Sequence, residues 1–160
     1  TRFLPLGLLL LLVGCQQTVT GPPKPSLAGG NPAQAEQAPA VGVLELDEGM
    51  CLNDIDQPLA QDLTEVPSVS CEEPHESEVF AEITIPDGEF PGIDGVQAEA
   101  VEACQVEFRR FIGVEFTAST LNFSYYYPTE SSWQVGDRSI YCVVFDPGQL
   151  SEGTLRGANR

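Results

Sequence analysis

The sequence predicts an α+β domain: a small, mostly antiparallel sheet with one main helix packed on it, stapled by two disulfides. Three observations predict it. Short segments of strand character stand before and after a single long segment of helical spacing. Residues 139–145 are apolar at both parities, with Ile140, Cys142 and Val144 set against Tyr141, Val143 and Phe145, as in a central strand covered on both faces. Setting Cys15 aside leaves Cys51, Cys71, Cys104 and Cys142, an even set.

The chain divides into three parts. Residues 1–14 read as a signal peptide. The apolar run from Phe3 to Gly14 is shorter than the ~20 residues a spanning helix needs and fits a secretory h-region. Leu12-Val13-Gly14-Cys15 resembles a bacterial lipobox, which makes Cys15 the lipid acceptor. Residues 15–40 read as a tether, rich in Pro, Gly, Ala and Gln. Such a segment buries too little apolar surface to offset its ordering entropy. Residues 41–160 read as the folded domain, large enough for one core.

Within the domain, Gly49-Met50-Cys51-Leu52 predicts a short strand, and 53–58 is turn chemistry. Residues 66–71 predict a second strand, with Pro67 suited to an edge. Residues 78–85 predict a third, with Val79, Ala81, Ile83 and Ile85 on one face. Asp94 is placed to cap a helix over 95–112 whose stripe is Val101, Cys104, Phe108 and Phe111, with Ile112 beside it. Gly113 suits the position just past its end. Residues 120–127 alternate as a half-buried strand. Thr129 caps a short helical turn through Trp133, 139–145 is the central strand, and 151–160 reads as a loosely held tail.

A net charge of −17, with Lys24 as the one lysine, gives no basic stripe for a phosphate backbone, which excludes nucleic acid as a partner. Anionic headgroups would repel such a surface, so membrane residence rests on the lipid at Cys15. Four cysteines allow three pairings, and the count does not choose. The layout of elements favours Cys51–Cys71, on two short strands around a turn-rich loop, and Cys104–Cys142, between helix stripe and central strand.

Several strings resemble the septum formation domain of actinobacterial envelope proteins. They are Gly49 to Asn53, Val66 to Val79, Pro86 to Gly92, Tyr127 to Trp133 and Gly136 to Cys142. The likeness covers 49–160. It departs at Gly49-Met50-Cys51, where the family tends to carry an acidic residue before the cysteine. The resemblance implies a place in the cell envelope and a link to division, with division or envelope proteins as partners.

His75 is the single histidine. In Pro74-His75-Glu76-Ser77-Glu78 it either fixes a turn or pairs with Glu73 or Glu78 in ligand, acid–base or metal chemistry. One histidine among oxidised cysteines falls short of a zinc set, so no metal and no cofactor is expected. No Gly-x-Ser-x-Gly elbow is present. Asp54 and Asp56 begin a calcium-like loop that Pro58 breaks. Tyr126 alternates away from Leu121, Phe123 and Tyr125, and is expected at the surface with His75. Those two and Trp133 form the candidate binding surface, although Trp133 also suits a core lid. The expected role is a lipid-anchored, extracytoplasmic binding or scaffolding module rather than an enzyme. The alternatives are a hydrolase of envelope polymers and a small-ligand-binding lipoprotein.

Overall fold

The computed structural model describes residues 39–55 and 63–160. The readings of a signal peptide, of Cys15 and of the tether up to residue 38 lie outside that range, and Ala40, read as the end of the tether, instead opens the first strand. No helix among the described residues is long and apolar enough to cross a membrane.

The elements are β1 (Ala40–Gly42), β2 (Cys51–Leu52), β3 (Glu65–Val69), β4 (Ser77–Thr84), α1 (Ile93–Ile112), β5 (Asn122–Tyr126), α2 (Glu130–Gln134) and β6 (Ser139–Phe145), with short 3-10 turns at Val43–Glu45 and Phe116–Ala118. The strands form one six-stranded sheet in the order β1-β3-β2-β4-β6-β5. Every named pairing is antiparallel. The sequence-predicted α+β class, with one main helix and two disulfides, is the observed one. β6 runs between β4 and β5, as its two apolar faces require. β3 is not an edge. Pro67 lies where its pairing passes from β1 to β2, so the missing N–H falls at the handover, and the Pro67 carbonyl accepts from Asn53 N at 3.0 Å.

α1 begins two residues before the expected start, on Gly92 at φ 81°, and Asp94 sits in its first turn without capping. It ends at Gly113, whose φ of 98° is left-handed and whose N–H returns to the Arg109 carbonyl. Its buried stripe is Val96, Ala100, Cys104, Phe108, Phe111 and Ile112. Val101 is exposed, because Ala100 and Val96 continue the row of fours and turn Val101 to the rim. α2 is capped as expected: Thr129 Oγ1 accepts from Ser132 N, and Ser132 Oγ accepts from Thr129 N.

Two apolar clusters lie on opposite faces of the sheet. On the helix face, Phe80, Phe108, Phe116 and Phe123 meet edge-to-face, with Phe80 and Phe108 centroids 5.9 Å apart at 89°. On the other face Leu46, Leu52, Val66, Val79, Tyr126, Tyr141 and Val143 pack together. The expected single face of β4 is corrected here. A β-bulge between Val79 and Ala81 inserts Phe80 as an extra residue. Val79 therefore joins the far cluster, while Phe80 and Ala81 both join the helix side.

The disulfides pair Cys51 with Cys71 and Cys104 with Cys142, with Cα separations of 5.2 and 5.7 Å. The first holds β2 to the turn after β3, and the second ties α1 to β6. Residues 151–160 are not a loose tail. Ser151 bridges His75, Leu155 is buried, Gly157 N donates to Phe111 O, and Asn159 N donates to Ile112 O. Arg160 pairs with Asp146 at 2.7 Å, and the Arg156 guanidinium lies 4.3 Å from the Phe111 ring centre.

Candidate functional site

The expected exposure of His75 and Tyr126 is overturned. His75 is 0% exposed and Tyr126 only 5%. Alternation along β5 placed Tyr126 on the right face, but that face carries a second core, so opposite the helix does not mean open to solvent.

The segment 75–78 is an internal staple. His75 exchanges backbone hydrogen bonds with Ser151 at 2.9 Å in both directions. Its Nδ1–H donates to the Glu73 carbonyl at 2.9 Å, which fixes the tautomer and leaves Nε2 as the acceptor. Nε2 and the Ser151 hydroxyl are both buried without a partner among the described residues. Glu76 accepts from Ile55 N at 2.8 Å, and its own N–H donates to Asn53 Oδ1. Ser77 Oγ donates to Asp54 Oδ1 at 2.5 Å. Glu78 accepts from Thr154 Oγ1 at 2.5 Å and from Leu155 N at 2.6 Å. The side chains of Glu76, Ser77 and Glu78 thus each meet a group carried by another segment.

The buried Asp54 also accepts from the Tyr126 hydroxyl. Burial first, and the Asp54 carboxylate second, push the Tyr126 phenol far above its ordinary value. Sequence reading missed this pair. The sequence offers Asp54 only as a calcium-like ligand, and nothing local signals a partner 72 residues away.

Trp133 serves as a lid on the helix-side core, at 6% exposure. Its Nε1–H donates to the Gly88 carbonyl at 3.1 Å. The Arg138 guanidinium lies 3.7 Å from its ring centre and pairs with Asp87 at 3.0 Å. Arg138 is thus paired with Asp87 rather than with its neighbour Asp137, which accepts from Ser139 N. The three residues read as one binding surface are all buried, in three different settings.

The sulfurs of Cys51 and Cys71 and the Glu78 carboxylate come within 4.8 Å of one another, the one metal-like grouping among the described residues. The sulfurs are bonded to each other, so neither is a thiolate available to an ion.

An open surface lies beside α1. A groove of about 670 Å³ runs between the helix and β4, floored by Ile83, Ala103 and Val106. Its rim carries Glu99, Glu102 and Glu107, the last paired with Arg110. Ile83 is the single sheet residue in the lining, which places the groove on the β4 side of the helix. There β2 pairs with β4 only at Ser77 and Glu78, and Val79 bonds Gly49 and Met50. From Phe80 to Thr84 the side of β4 away from β6 meets no strand among the described residues.

No curated protein and no solved structure matches the chain. A family model does: the one described as septum formation matches residues 15–149. That match spans most of the chain, and the chain belongs to the septum formation family.

Proposed function

We propose that this protein is a lipid-anchored, extracytoplasmic binding or scaffolding module of the cell envelope that serves septum formation without catalysing a reaction. The observation that carries the reading is the use made of residues 75–78. The side chains most suited to chemistry are engaged inside the fold, and an open groove beside α1 has a small aliphatic floor and an acidic rim. Family membership supports the link to septum formation. The lipobox-like Leu12-Val13-Gly14-Cys15 supports the anchor. Two or more acyl chains at Cys15 would supply the stable attachment that one chain does not. Division or envelope proteins are the partners in this reading.

The test has two arms. Cys15→Ser is expected to release the protein from membranes or leave its leader uncleaved; unchanged partitioning and processing would remove the anchor. The purified protein is expected to clear no peptidoglycan in a zymogram. A cleared band that survives repurification would replace the scaffold with a hydrolase.

A further inference from the structure

We propose that the open half of β4 and the groove beside α1 form a docking site for an extended segment of another protein, alternately apolar and basic, which adds to the sheet as a strand. The proposal rests on the binding-module reading above and names the partner's chemistry.

Main-chain recognition comes first. A strand between two neighbours uses both rows of its N–H and C=O groups. β4 does so at Ser77 to Val79. Over Phe80–Thr84 it pairs with β6 alone among the described residues, so one row is left for a newcomer. Such an edge is the usual template for strand addition. Its residues are Phe-Ala-Glu-Ile-Thr, with no proline or lysine, and beyond the bulge at Phe80 the positions open to pairing are Glu82 and Thr84.

Side-chain recognition comes second. A strand laid along this edge places alternate side chains toward the helix. They enter the groove over Ile83, Ala103 and Val106, where Val106 is 53% exposed. That floor takes the aliphatic stems of long basic side chains, whose charged heads then reach the rim.

Charge selects the occupant. Glu99 and Glu102 on the rim form no ion pair among the described residues, and Glu107 alone is answered, by Arg110. Glu82, exposed on the same strand, lies on the opposite face, where its Oε1 accepts from Ser139 Oγ at 2.8 Å. A second copy of this chain, at a net charge of −17, would bring like charge to the same edge. A segment with lysine or arginine at alternate positions answers the rim instead.

The experiment uses the full chain in detergent micelles. The probe is a labelled, capped eight-residue peptide alternating valine and lysine. Controls are the same peptide with glutamate for lysine, and one N-methylated at alternate residues. Saturable binding that weakens with salt is expected, with at least a tenfold loss for each control. The exposed pair Glu99→Gln and Glu102→Gln, made together, is expected to weaken binding by about tenfold while circular dichroism stays unchanged. Amide exchange is expected to slow at Glu82 and Thr84. Equal binding of the N-methylated peptide overturns strand addition. Unchanged affinity in the double variant, absent binding, or protection on β5 instead overturns the site. Envelope proteins captured equally by wild type and double variant would sink this site and leave the binding-module reading standing. Capture by neither would take both down.

Discussion

Tyr126 donates its phenolic hydrogen to Asp54 Oδ2 at 2.5 Å, joining β5 to the turn after β2. β4 and β6 lie between those strands, so a flat sheet would separate them by about 14 Å, three strand spacings. The contact spans the second core, in which Tyr126 packs, and ties the turn after β2 across it.

The bond gives an alkaline signature. An unfolded tyrosine titrates near ~10, and Tyr126 in the fold titrates well above its ordinary value. Its contribution is therefore fully present below about pH 10 and is lost as pH rises from there toward the folded value. Tyr126→Phe leaves Asp54 Oδ2 without its donor and is expected to cost about 1–3 kcal/mol at pH 7. The gap to wild type is expected to narrow above pH 10. Urea melts of both proteins from pH 7 to 11 check it, and a constant gap would refute the assignment.

The two disulfides are expected to differ in weight. Replacing Cys104 and Cys142 together by alanine opens a 38-residue separation and is expected to cost about 4 kcal/mol. The Cys51 and Cys71 pair, separated by 20, is expected to cost about 3 kcal/mol. Denaturant midpoints rank them, and non-reducing peptide maps check the pairing directly. A linked Cys51–Cys104 peptide would overturn it.

Phe108→Ala removes the ring that meets Phe80 and Phe116, and is expected to cost about 3–5 kcal/mol. Val106→Ala, two residues earlier but half in solvent, should stay within about 0.5 kcal/mol. Thermal melting of the two variants side by side is the check, and similar losses would mean that α1 is rotated from the position described.

His75→Ala is expected to destabilise by about 2–4 kcal/mol, as for truncation of a buried side chain. Glu78→Ala strands the Thr154 hydroxyl and the Leu155 amide, and should cost more than about 2 kcal/mol. A normal melt for either variant would return that residue to the list of functional candidates.

Local patterns were legible where one rule sufficed. Strand periodicity, the Thr129 cap, the Gly113 terminus, the doubly apolar 139–145 and the disulfide pairing all follow from spacing and neighbourhood. The failures are long-range. Phe80 breaks the alternation of β4, and no local residue marks the bulge. β1 is short and gains strand character only by pairing with β3. His75, Tyr126 and Glu78 are polar by composition and buried by partners far along the chain. The tail 151–160 looked loose because it is small and polar, yet its worth lies in the amides and hydroxyls it offers to β4.

Glu78 and the residues that satisfy it are 76 and 77 positions apart. At ~5–20 residues per second of synthesis, roughly 4–15 s separates their appearance. Until Leu155 arrives, closing β4 would bury a carboxylate with its oxygens unanswered, at a cost comparable to much of a small domain's stability. Sheet closure and the last ten residues are thus coupled: Glu78 is buried with its oxygens satisfied only once Thr154 and Leu155 are in place.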